Sequence, residues 1–170
     1  MTYNIHPIFV HFPIALLFLY SIIKIFPFEK WFPKISWKHI EIALLSIGVL
    51  GAFAALATGE TASHLIHPNR QLVRMHSTFA SISTWLYCLL LLGEILYLIN
   101  DSVLVKLNRP KITAIVLYIQ KILTSSLVSK VLAFLGFIAI SITGLLGGAM
   151  VYSSSADPMT GIVLHLLGIN

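Results

Sequence analysis

Histidine is the residue type in this chain best equipped to do chemistry, and there are seven among its 170 residues. A neutral imidazole ligates haem iron and transition metals alike. One reading pairs His11 with His76 as the two axial ligands of a haem b, with His6 as a substitute for either. A second groups Glu60, His64 and His67, which stand at i, i+4 and i+7 and share one face of a continuing helix. With His76 added, a carboxylate and two or three imidazoles suit a transition metal ion such as Zn, Fe or Cu rather than Ca or Mg. The plainest reading leaves these imidazoles at the lipid headgroup level, capping helices and bonding water. No Gly-rich phosphate loop, hydrolase elbow or zinc-protease helix is present, and no nucleophile or acid–base pair argues for a hydrolase.

The elements that must position these side chains are membrane helices. Hydrophobic residues make up 58% of the chain and charged residues 10%, with a mean hydropathy of +0.92. A soluble domain carries about 25% charged residues, so this chain lacks the polar surface to stay in water. Residues 7–20, 42–59, 77–93 and 131–155 contain no charge at all. The reading is a single all-α integral membrane domain over residues 1–170, a bundle of four transmembrane helices at 7–26, 40–58, 76–99 and 131–152. Pro7 suits a first helical turn, Pro13 predicts a kink near His11, and Gly59 is read as closing the second helix. Residues 111–129 alternate apolar and polar faces and read as an additional amphipathic helix lying in the membrane interface before the last span. A fifth span there would need a reversal near residues 125–130, where no Gly or Pro stands.

Lysine and arginine set the orientation. Nine of the eleven fall on one side of the four-span arrangement, leaving only Arg70 and Arg74 on the other. The basic side is expected to be cytoplasmic, with both termini extracytoplasmic. Trp31, Phe32 and Trp37 read as interface anchors. The net charge of +5 follows from lysines flanking apolar runs, so the expected partner is the lipid bilayer and no nucleic acid. Six histidines then share the outer side, His39 alone lies inside, and the parallel first and third helices bring His11 and His76 to similar depth. Glu94 lies within snorkelling reach of the inner surface, which favours a structural role over the alternative of proton transfer, and Arg70 and Arg74 suit lipid phosphates or haem propionates. Gly48, Gly51, Ala52 and Ala55 thin the second helix, and Gly144 and Gly148 thin the fourth, for close packing or for a flat cofactor. The single Cys88 forms no disulfide within the chain.

The opening His6-Pro7-Ile8-Phe9-Val10-His11-Phe12-Pro13-Ile14-Ala15-Leu16-Leu17 resembles the start of the bacterial family catalogued as domain of unknown function 2231. Ala54-Ala55-Leu56-Ala57-Thr58-Gly59-Glu60-Thr61-Ala62 is similar to that family's second-helix ending, and Gly144-Leu145-Leu146-Gly147-Gly148 to its last helix. The resemblance covers roughly residues 6–152 and implies a four-helix membrane domain, with His6, His11, Glu60, His67 and His76 at motif positions. Ser77 departs from the acidic residue that many relatives carry there, which weakens a carboxylate-rich metal site and favours haem; the 111–129 stretch is also longer than usual. The expected function is a membrane redox protein holding haem b near the extracytoplasmic face. It would pass electrons, from quinol for example, alone or beside other respiratory subunits. The alternatives are binding or transport of a transition metal, and a structural subunit of a larger membrane complex.

Overall fold

The computed structural model describes residues 5–66, 69–99, 110–152 and 158–169. Among the described residues seven helices follow one another: α1 (His6–Ile25), α2 (Phe28–Trp31), α3 (Trp37–Ile66), α4 (Arg70–Leu98), α5 (Pro110–Leu123), α6 (Ser126–Tyr152) and α7 (Pro158–Leu166). No strand occurs among the described residues. Four of these helices, α1, α3, α4 and α6, are long and apolar enough to cross a membrane. They pack in a closed ring, α1 on α3, α3 on α4, α4 on α6 and α6 back on α1. Each ring neighbour runs antiparallel. Pro13 and Leu17 of α1 meet Gly51 and Gly48 of α3, while Phe18 of α1 stacks on Phe137 of α6 at 4.6 Å. One end of the bundle gathers the lysines, the other the histidines.

Small residues set how closely the helices approach, as they do where lipid supplies no hydrophobic drive between helices. A methyl group on Gly48 would stand 2.6 Å from Leu17, and one on Gly136 of α6 would stand 2.9 Å from the Tyr87 ring. Gly144 is looser, with Ile14 4.0 Å from where a methyl would point. Leu17, Tyr20, Leu45, Val49, Tyr87, Leu90, Ala133 and Ile140 fill the centre. Across its diagonal, Ser21 Oγ of α1 and the Tyr87 hydroxyl of α4 form a buried hydrogen bond of 2.8 Å.

Several boundaries differ from those read in the sequence. Gly59 does not close α3, which continues to Ile66. It sits inside the helix with its bare backbone against the His6 ring, 3.5 Å from where a methyl would point. The fourth helix starts at Arg70, before the apolar run, where the Asn69 side chain accepts from the amides of Gln71 and Leu72. The interfacial helix ends at Leu123 rather than 129, and the last span begins at Ser126 rather than 131. The turn between them needs no Gly or Pro. Thr124 and Ser125 donate their hydroxyls to the carbonyls of Gln120 and Ile122, each at 2.8 Å, and close the helix end themselves. With 14 residues, α5 is about 21 Å long, short of the bilayer core, and buries no residue.

A C-terminal helix, α7, was not anticipated. It ends on Gly168 with φ +66°, and the Ile169 amide reaches back to Leu164 O at 2.9 Å. That left-handed cap turns Ile169 into a second apolar cluster with Leu72, Leu146 and Ala149 at the histidine end. Gln71 Nε2 donates to Gly168 O at 3.0 Å and ties the cap to α4.

Candidate functional site

At the histidine end, the first residue of α1 meets the second turn of α4. The rings of His6 and His76 lie edge to face, 6.5 Å between centres with their planes at 81°. Both are half-buried. His76 Nδ1 lies 3.0 Å from the backbone carbonyl of Thr143, an acceptor only, so Nδ1 carries the proton and the lone pair sits on Nε2. His6 Nδ1 lies 2.9 Å from Thr58 Oγ1. The Thr58 hydroxyl is itself 3.1 Å from the carbonyls of both Ala54 and Ala55. Its single proton goes to them, so it accepts from His6, which therefore holds the same tautomer. Two imidazoles, each oriented through Nδ1–H by an oxygen of a neighbouring helix, are in the arrangement metal-ligating histidines adopt. Glycines lie beside both rings: Gly59 by His6, and Gly147 by His76, 3.4 Å from where a methyl would point.

The pairing of His11 with His76 is not what the structure brings together. His11 is exposed, and its Nδ1 bonds the Pro7 carbonyl one turn back on its own helix. Five residues along a helix turn a side chain by about 140°, so with His6 facing inward His11 faces away. The alternative metal set is only partly in view. Glu60 is exposed, whereas the His64 side chain and His67 lie outside the described residues. Among the described residues, no three of His, Cys, Asp and Glu gather to hold a metal ion. His165 on α7, Arg70 and Arg74 are exposed. Ser77, next to His76, donates to the Arg74 carbonyl.

The lysine end holds a second polar constellation that the sequence reading largely missed. Lys24 of α1 lies 2.7 Å from Glu41 of α3 and 3.7 Å from Glu94 of α4. Lys38 of α3 pairs with the other Glu94 oxygen and rests over the Tyr97 ring, 4.5 Å from its centre. Glu41 and Glu94 are nearly sealed, at 6% and 5% exposure. Glu94 is thus no snorkelling residue but the hub of an ion-pair network across three helices. Depth matching would have found it, because antiparallel neighbours set Lys24, Glu41 and Glu94 at one level.

These features define a four-span membrane bundle with a half-buried histidine pair at one end and a buried charge network at the other. The chain belongs to the family described as Predicted membrane protein (DUF2231), whose model matches residues 2–157. No curated protein and no solved structure matches the chain.

Proposed function

We propose that the protein is a membrane redox protein whose His6 and His76 would hold haem b at the histidine end of its bundle. The observation that carries this reading is the pair of imidazoles fixed in one tautomer 6.5 Å apart. Metal–imidazole bonds are about 2 Å long, so a single ion bonded to two rings spaces their centres by roughly 6 Å. Two protein ligands are too few for a closed zinc site, which needs four, but suffice for haem, whose macrocycle supplies the rest. The bound haem would supply one-electron chemistry. The protein's own part is to orient the two rings through Thr58 and Thr143 and to shield them beneath the apolar cluster of Leu72, Leu146, Ala149 and Ile169.

The histidine end faces the extracytoplasmic side in this reading, because most lysines flank the other. A membrane-soluble donor of the hydroquinone class fits the surroundings. A shallow lipid-facing groove along α4, lined by Ser77, Ser81, Trp85 and Leu89, begins one residue from His76. Respiratory subunits are the macromolecular counterpart of such a donor.

The test is the absorption spectrum of the purified protein, oxidised and dithionite-reduced. A Soret band with sharp reduced bands is expected, lost or altered in His6→Ala and in His76→Ala and retained in His11→Ala and His39→Ala. A colourless protein with stoichiometric metal selects transition-metal binding instead, and a protein with neither is a structural subunit.

A further inference from the structure

The net charge of this chain sits at one end. In chain order, the segments that meet the histidine end carry two arginines, Arg70 and Arg74, and two carboxylates, Glu60 and Asp157. The whole of the +5 therefore belongs to the lysine end. There Glu41 and Glu94 are already taken up by Lys24 and Lys38. What remains on the rim has no counter-charge. Lys30, Lys34, Lys111, Lys121 and Lys130 are exposed, and none is in an ion pair among the described residues.

Three of these lysines belong to α5 and the start of α6, and α5 presents three different sides. Thr113, Val116, Gln120 and Leu123 are half-buried and mark the side that rests on α4. About a quarter turn on, Ile112, Ile115, Ile119 and Ile122 form a stripe left 38% to 59% exposed. Lys111, Tyr118 and Lys121 take the third side, exposed as well. A helix at the boundary of headgroups and acyl chains needs this division, with one side for its protein, one for hydrocarbon and one for headgroups. Tyrosine and lysine are residues that settle at that boundary.

The depth of α5 agrees. A methyl group on Gly93 of α4 would stand 2.9 Å from Leu123 Cβ, so the two helices touch closely there. Gly93 lies five residues before the end of α4 at Leu98. The end of α5 is thus held roughly 7–8 Å inside the lysine end of the bundle, a depth at which interfacial helices bury their apolar side.

We propose that α5 and the start of α6 form a docking surface for anionic phospholipids in the leaflet at the lysine end. Phosphodiester headgroups pair with Lys111, Lys121 and Lys130, and the acyl chains lie along the isoleucine stripe. A zwitterionic headgroup brings a cation of its own to lysines that have no carboxylate among them, and is disfavoured. The surface is independent of whether the histidines hold haem.

The test uses the full-length protein in detergent, incubated with mixed micelles of equal parts phosphatidylglycerol and phosphatidylcholine. Lipid that stays bound through gel filtration is counted by mass spectrometry. Phosphatidylglycerol is expected in several-fold excess, since each lysine near an anionic lipid surface strengthens attraction by about fivefold. Replacing Lys111, Lys121 and Lys130 together by Gln should bring the ratio to that of the mixture. The melting temperature should not change, because none of the three has an ion pair to lose. Ile115→Ser with Ile119→Ser leaves the charges alone and should lower the amount of phosphatidylglycerol held. Inorganic phosphate in millimolar excess should not displace it. A wild-type ratio equal to that of the mixture overturns the proposal, as does a preference that survives in the folded glutamine variant. Undiminished binding in the serine variant, or displacement by inorganic phosphate, overturns it too.

Discussion

Thr58 and Thr143 do at residue scale what the imidazoles cannot do for themselves. Without an oxygen at Nδ1 neither ring would be fixed in orientation or in tautomer. The choice between His6 and His11 likewise depends on which way α1 is rotated about its axis. A sequence gives the angle between these two histidines but not which of them faces the bundle. The same holds for glycine. Gly144 and Gly148 stand out in the sequence as a helix-packing pair, yet on that helix Gly136 meets Tyr87 more tightly than Gly144 meets Ile14. Gly136→Ala should therefore destabilise the protein by about 1–3 kcal/mol, because the Tyr87 ring is sealed and its hydroxyl is held by Ser21. Gly144→Ala, with 4.0 Å to spare from Ile14, should be close to neutral. Denaturant unfolding in detergent micelles compares the two.

Elements were legible to different degrees, and the reason is what each buries. The four spans stand out because lipid demands long uncharged runs, and all four are present. Their ends were read too short at α3, α4 and α6, since a helix continues past its apolar stretch wherever polar residues can cap or carry it. The 9-residue α7 is too short to announce itself, and its cap depends on one glycine and one buried isoleucine. The histidine end was legible as a set and the lysine end barely at all, because pairing across helices is a matter of register. That register is testable at α1 and α3. Lys24→Met leaves Glu41 buried without its closest partner and should destabilise by about 3–5 kcal/mol. Lys24→Met with Glu41→Leu, which removes both charges, should recover most of that loss. Equal instability of the single and double variants would show that the pair does not hold the two helices together.

The whole molecule is asymmetric end to end: paired charges at one, imidazoles at the other. Its proposed orientation can be checked in intact cells with Cys88 replaced by Ser. A cysteine at Arg70 should react with an impermeant thiol reagent and one at Lys34 should not; the opposite pattern reverses the assignment of sides. The ion-pair network also bears on how the chain enters the membrane. Lys24 and Glu41 leave the ribosome within the first two spans, well before Glu94 is made. A lone charge carried into the bilayer core is costly, but these two neutralise each other as soon as α1 and α3 lie side by side. The first helical hairpin is therefore a ready unit of insertion, able to leave the translocon as a pair. Glu94 then arrives with α4 to find Lys38 and Lys24 already in place, so order of synthesis and order of assembly coincide.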